Sequence, residues 1–419
     1  MNKGNKISVN KILIFASITT ITLIIATLII LAIINHHTKI VFYNIPEQQS
    51  TGLKQIIDAN YKKKYKIITI NDDHPLTTHQ KILKKSSLLI AQMDSQTENF
   101  AATNKNIQSF SKEILNTMPM TISTSIPKTN GCINYVPILY DMYQIDIHYP
   151  SFLESGIKNI EIWQDLETFA NKLTKKFYTP VIIPFADDKE LINIFAQVLE
   201  TQTSPTEYKT FYDTLSNLFM QNQNETDEQL QTSENYETLI HFLQQEADNP
   251  HTATAHTIDI FKRMIKNQII KQSVLTQNLD ENLFYTNNQI CGIFFTKLSD
   301  HRKIDRAAIN NYKSIYAPSL TATNNRVFSA YQYSAIQLKK DNKIRQLILN
   351  LSNVLQTELS TTTGLAPVQK NCQVPDHQSD DVRYWLAASN GPVNPLSCAI
   401  PSKKAQKQTA DFIRNRLTE

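Results

Sequence analysis

The chain has 419 residues, 41% of them hydrophobic and 19% charged, with 42 lysines and arginines against 38 aspartates and glutamates. That length exceeds what one hydrophobic core organises, so two lobes or domains are expected. Only 7 glycines are present, and no G-x-G-x-x-G, G-K-[ST], H-E-x-x-H, C-x-x-C or G-x-S-x-G string occurs, so phosphate-loop, metallopeptidase, dithiol and nucleophile-elbow chemistries have no motif here.

Residues 12–34 are 23 consecutive uncharged, mostly apolar positions. At about 1.5 Å per residue they are long enough to cross a bilayer core of about 30 Å. Lys3, Lys6 and Lys11 precede the segment and no small-x-small cleavage site or following cysteine closes it. The positive flank predicts a single-pass signal anchor with a cytoplasmic N-terminus and the rest of the chain in the periplasm or outside the cell. The alternative is a signal that is removed. Without residues 1–39 the remainder holds 38 basic and 38 acidic residues, so the net +4 says nothing of nucleic acid.

Beyond the anchor, Lys39–Tyr43 is a short apolar strand pattern stopped by Pro46, and Leu53, Ile56, Ile57 and Tyr61 carry helical spacing over 50–64. Tyr65–Ile70 predicts a second strand, Pro75 and Leu76 open a further helix, and Ser87–Gln92 predicts a third strand. Strand and helix alternating in this way predict an α/β unit with a mostly parallel sheet. Ligands of open α/β sheets sit beyond the carboxyl ends of strands, which makes Asn44–Ser50 and Met93–Ser95 candidate cleft loops. Asp94 is the ionisable candidate there, with a helix N-cap as its other reading.

Residues 131–169 are the most informative stretch. An aromatic, β-rich run, Tyr135-Val136-Pro137-Ile138-Leu139-Tyr140-Asp141, leads through Tyr149-Pro150-Ser151-Phe152-Leu153 and Ser155-Gly156-Ile157 to Trp163-Gln164-Asp165-Leu166. This resembles the central signature of family 1 extracellular solute-binding proteins, the sugar receptors of ABC importers of the maltose-binding-protein type. Ile162 stands where that pattern has Thr, and Gln164-Asp165 where it has Asp-Glu.

Further on, Ile162, Leu166, Phe169, Leu173 and Phe177 share a helix face over 161–177, and Val181–Pro184 reads as a short strand. Helical patterns follow at 187–201, 205–221, 235–247 and 254–275, broken by a polar connector at 222–235. Asn288–Thr296 resembles the family's returning strand without its Ala-Ala-Met, Ser314–Pro318 the next, and 327–338 a strand re-entering the other lobe. A helix through about Leu359 leads into Thr363-Gly364-Leu365-Ala366-Pro367-Val368, which resembles the family's helix, Gly, Pro-Val segment.

The resemblance implies an α/β, two-lobed, type II periplasmic-binding-protein-like fold with a hinge, behind one transmembrane helix. It divides the chain into the anchor at 1–38, an N-terminal α/β lobe of 39–145 with about 290–330, and a mainly helical lobe of about 146–289 with 331–419. It implies a non-enzymatic receptor with no cofactor and no metal, taking a mono- or oligosaccharide by lobe closure and handing it to ABC permease subunits. Sugars need aromatic platforms beside planar polar groups. The ligand-binding candidates are therefore Asp94, Tyr140, Asp141, Phe295, Gly364 and Trp385. Trp163 is expected in the core, and Gly364 also suits a helix C-cap.

The rival reading is a degenerate binding-protein scaffold acting as an envelope interaction or sensory protein without transport. The few glycines, the missing Ala-Ala-Met and the altered signature favour it. Four cysteines, Cys132, Cys291, Cys372 and Cys398, permit disulfides in an exported chain, Cys372 with Cys398 among them, or stay as free thiols. The pairs His74/His79 and His251/His256 are five apart, off the spacing that puts two metal ligands on one helix face.

Overall fold

The computed structural model describes residues 38–61, 65–72, 76–220, 233–320, 326–374, 376–400 and 402–419. The anchor segment 12–34 lies outside them, and among the described residues no helix is long and apolar enough to cross a membrane.

The chain starts as its apolar runs predict. Strand β1 (Lys39–Tyr43) is followed by helix α1 (Glu47–Asn60), which begins straight after Pro46, then β2 (Lys66–Ile70) and β3 (Leu88–Gln92). β1 lies between β2 and β3, parallel to both. The helix expected after Pro75 is only a turn of 3₁₀ helix, Leu76–His79, and a short α segment, Gln80–Leu83. Helix α2 (Ser95–Thr103) then leaves the end of β3.

The signature stretch forms β4 (Val136–His148), 13 residues long and buried up to His148. Its alternating Val, Ile, Leu and Tyr suit a strand covered on both faces. At about 3.3 Å per residue it spans some 43 Å and serves two half-sheets. Pro137 has no N–H for the ladder, and the register against the partner strand slips there, leaving Ile138 unpaired. The carbonyl of Ile138 is taken instead by Gln356 Nε2 at 2.8 Å.

After β4 come α3 (Tyr149–Ser155) and α4 (Trp163–Leu173). Ile162, the N-cap of α4, offers no side-chain oxygen, and Asp165 compensates by accepting the N–H groups of Glu161 and Ile162, each at 3.1 Å. Trp163 lies in the core, its ring 6.5 Å from that of Phe295. α4 ends at Leu173, short of the expected Phe177.

β5 (Thr179–Ile182) and helices α5 (Asp188–Leu199), α6 (Pro205–Met220), α7 (Ser233–Asp248) and α8 (Ala253–Lys266) follow. Then come β6 (Cys291–Lys297), β7 (Tyr312–Ile315) and β8 (Phe328–Gln337). The sheet order is β2-β1-β3-β8-β4-β6-β5, with β7 also on β4.

β8 is antiparallel to β3 and to Val136–Met142 of β4, whereas β6 and β7 pair with Tyr143–His148. Residues 290–330 were expected beside the N-terminal strands and 331–419 in the other lobe. The ladder joins β6 and β7 to the far half of β4, and β8 to β3. An apolar run specifies a strand, but its neighbour is set by pairings over a hundred residues away.

The helix expected through Leu359 is two helices, α9 (Asn342–Ser352) and α10 (Gln356–Thr363), broken at Asn353. Helices α11 (His377–Ala388) and α12 (Lys403–Thr418) close the chain, and α12 packs on α5, α7 and α8. All four cysteines are free thiols.

Candidate functional site

The carboxyl ends of β1 and β3 line a cavity together with residues of α5, of the turn at Ser397 and Cys398, and of α12. Asn44 turns the chain after β1 in the left-handed region (φ 52°), which a short amide side chain tolerates. Asp94 ends the β3 exit and caps α2, its Oδ1 accepting the N–H of Thr97 at 2.7 Å. Burial raises the pKa of this carboxyl above its usual value. Across from them stand Lys189 in the first turn of α5, Ser397 and Cys398 in a 3₁₀ turn, and Gln406 of α12. Together these enclose a cavity of about 370 Å³.

A second cavity of about 580 Å³ lies in the same cleft, lined by Tyr135, Tyr208, Tyr212, Glu98, Gln332 and Asn394 among others. Tyr208 and Tyr212 are one turn apart on α6, so both rings reach the same space. Both are buried and neither hydroxyl has a hydrogen-bond partner among the described residues. A buried hydroxyl left without a partner costs about 1–3 kcal/mol. Burial raises Glu98 to a pKa of about 7, and Asn394 Nδ2 donates to its Oε1 at 2.9 Å. Ser95 Oγ donates to the carbonyl of Cys398 at 3.1 Å. Residues 394–398 thus bridge to α2, Asn394 lining the larger cavity and Ser397 and Cys398 the smaller.

Beneath the cleft, where β4 passes from one half-sheet to the other, polar groups form a closed network. Asn193 Nδ2 donates to Tyr143 Oη at 2.8 Å and Tyr331 Oη at 2.7 Å, and its Oδ1 accepts the N–H of Ser397 at 2.9 Å. Tyr143 Oη donates to Glu190 at 2.8 Å, and Lys297 Nζ reaches Glu190 at 2.8 Å and Asp300 at 2.6 Å. The network ties β4, β6, β8, α5 and the 3₁₀ turn together. No cluster among the described residues could hold a metal ion.

Of the six candidates, Asp94 lines the smaller cavity and is also a helix N-cap. Tyr140 is fully buried and meets the larger cavity only through Gln332, to whose Oε1 it donates at 2.9 Å. Asp141 is buried against Ser299, accepting its N–H at 2.9 Å and its hydroxyl at 2.6 Å, with burial raising its pKa to about 6. Phe295 is buried against Trp163. Gly364 is the left-handed C-cap of α10, and Trp385 packs edge-to-face on Tyr316 at 5.6 Å. These five lie outside the linings of both cavities.

The residues that sequence reasoning missed are Tyr135, Tyr208, Tyr212 and Lys189. The i, i+4 tyrosine pair was visible, but such a pair on an amphipathic helix reads equally as core.

No known family profile matches the sequence, and no curated protein matches it. Solved structures do. The bacterial solute receptor AcbH, with its exclusive preference for β-D-galactopyranose, superposes with a TM-score of 0.63 at 9% identity, over 91% of this chain and 98% of that one. The MsmE binding protein of Bacillus subtilis, in an open conformation, gives 0.62 at 11% identity, over 91% and 96%. A family 1 extracellular solute-binding protein of Bifidobacterium longum subsp. infantis gives 0.57 at 12%, over 91% and 95%. Likeness at such identity is likeness of fold, and the chain has the mixed α/β fold of the family 1 extracellular solute-binding proteins.

Proposed function

We propose that the chain is an extracytoplasmic solute receptor that takes a carbohydrate in the cleft, without chemical turnover, and presents it to an ABC permease. Residues 12–34 would hold it at the membrane. One lobe would comprise β1, β2, β3, β8 and the first half of β4. The other would comprise the second half of β4 with β5, β6, β7 and the helices α5 to α8, so that β4 is a crossing between them.

The observation that carries the reading is the pair of buried, partnerless hydroxyls of Tyr208 and Tyr212, two residues of the larger cavity's lining. A sugar brings flat C–H faces for tyrosine rings and hydroxyls for unpaired phenols and for Glu98, Gln332 and Asn394. The fold supports it too, since the structures it resembles include a sugar transporter protein of Bacillus licheniformis in complex with stachyose, with a TM-score of 0.58 at 10% identity. Closure would be selected by differential affinity of the ligand for the closed arrangement.

A thermal-shift series on the full chain with neutral mono- and oligosaccharides tests this. A ligand at about 100 times its Kd adds about 2.7 kcal/mol, so a binder raises the melting temperature while its concentration stays unchanged over hours. A flat response to every saccharide sinks the receptor reading and leaves the transport-free scaffold in its place.

A further inference from the structure

The smaller cavity differs in chemistry from its tyrosine-lined neighbour. Lys189 projects into it from the first turn of α5, its Nζ 4.9 Å from the centre of the Tyr331 ring, and makes no salt bridge with any described residue. α5 is 12 residues long and has no side-chain cap, because Asp187, its N-cap, gives its carboxylate to the N–H of Leu279 at 2.8 Å. The N–H groups of the first turn are therefore left without side-chain acceptors. α1, which starts at Pro46 in the same wall, is likewise uncapped by any side chain.

A separate observation points to a ligand. Gln92, at the end of β3, is 8% exposed and lines this cavity, and its side-chain amide has no partner among the described residues. Of the acids in the wall, Asp94 accepts from Thr97 at the start of α2 and stands within Coulombic reach of Lys189, and Asp72 Oδ1 lies 3.2 Å from His79 Nε2. What the cavity offers beside them is donor capacity, an ammonium without a salt bridge and an amide. That is the constellation that receives an oxyanion.

We propose that the 370 Å³ cavity lined by Lys189 and Gln92 binds an oxyanion carried on the ligand, the carboxylate of a uronic acid or the phosphate of a sugar ester, so that acidic saccharides are preferred to neutral ones. The proposal rests on the receptor reading for the saccharide, and on the cavity alone for the oxyanion. A volume near the low end of small-molecule sites accommodates a compact charged group better than an extended chain.

Calorimetric titration of the full chain with galactose, galacturonic acid, digalacturonic acid, galactose 6-phosphate and inorganic phosphate tests it, at low and at high ionic strength. The expected result is that one acidic sugar binds at least about tenfold tighter than galactose, equivalent to about 1.4 kcal/mol. That advantage shrinks with salt, disappears in Lys189→Gln and persists in Lys189→Arg. The carboxylate and phosphate arms identify which oxyanion is taken. Equal binding of acidic and neutral sugars, or an acidic preference that survives in a Lys189→Gln variant of unchanged melting temperature, overturns the oxyanion site and leaves the receptor standing. If no saccharide binds but phosphate does, in a Lys189-dependent manner, the carbohydrate reading falls and the oxyanion site stands. If neither binds, both fall.

Discussion

Asn394 donates its side-chain amide to the carboxyl of Glu98 at 2.9 Å, joining the C-terminal segment to α2 across the cleft. The carboxyl is held in an environment where burial raises its pKa from the usual 4.5 to about 7. Glu200, paired with Arg326, is raised by burial to about 7 as well.

The pH dependence follows from these shifts. In the unfolded chain Glu98 releases its proton near 4.5, whereas the folded chain keeps it to about 7. Between those values the unfolded state binds fewer protons, so stability falls as pH rises through the window and levels off above it. Chemical denaturation at stepped pH should therefore show a midpoint that declines from about pH 4.5 to 7. Glu98→Gln should flatten part of that decline while keeping the contact to Asn394. A midpoint that rises steadily over the window would contradict the assignment.

Asn193 should be the most damaging single polar position. It is fully buried, and its amide satisfies Tyr143, Tyr331 and the N–H of Ser397. Asn193→Ala removes the donor from which both phenols accept and leaves the N–H of Ser397 without its acceptor, and a buried group left unpaired costs about 1–3 kcal/mol where no water reaches it. An overall loss of about 2–5 kcal/mol in urea unfolding is expected. Asn193→Asp keeps the acceptor for the N–H of Ser397 but gives up the donor from which both phenol oxygens accept, so it should be destabilised as well. A loss below about 0.5 kcal/mol for the alanine variant, the size typical of an unremarkable surface site, would show that the network does not stabilise the crossing.

How far the sequence was legible depends on range. The cleft loops after β1 and β3 were readable because short, largely apolar strands followed by Pro46 and Asp94 are local signals, and both loops do line the smaller cavity. The signature marked Tyr135–Asp141 as a β-rich run, but neither the full length of β4 nor that Tyr140 and Asp141 are buried outside the cavity linings. A strand's two faces alternate, so shifting the pairing by one residue swaps which side chains face the cleft. The slip at Pro137 is such a shift, and it becomes visible only with β8 in place. Asn193, Glu190 and Lys297 carried no spacing signal, since they meet from α5 and β6 across more than a hundred residues. The tyrosines of α6 were hidden differently, as cavity-facing and core-facing aromatics share one helical period.

The membrane segment yields a direct measurement. If 12–34 anchors the chain, the intact mass of the protein recovered from membranes should include residues 1–34, and carbonate washing should leave it in the membrane fraction. A mass beginning near Asn35 would show cleavage and a released receptor.

Tyr208→Phe separates the cost of the cleft from its use. The hydroxyl of Tyr208 is buried without a partner among the described residues, and so is that of Tyr212. A polar group kept dry and unpaired destabilises the free protein, so removing it should leave the melting temperature unchanged or raise it, by a gain of up to about 1–3 kcal/mol. If the hydroxyl exists to meet a sugar, the same change should weaken saccharide binding by about 0.5–1.5 kcal/mol, the usual net worth of one neutral hydrogen bond. Stability and affinity would then move in opposite directions, which is the mark of a group retained for a ligand. Tyr212→Phe should behave likewise, and the double variant should lose at least as much affinity as either single change. A variant that melts lower and binds sugar unchanged would mean that the tyrosine serves packing, and the larger cavity would lose its claim to be the carbohydrate site.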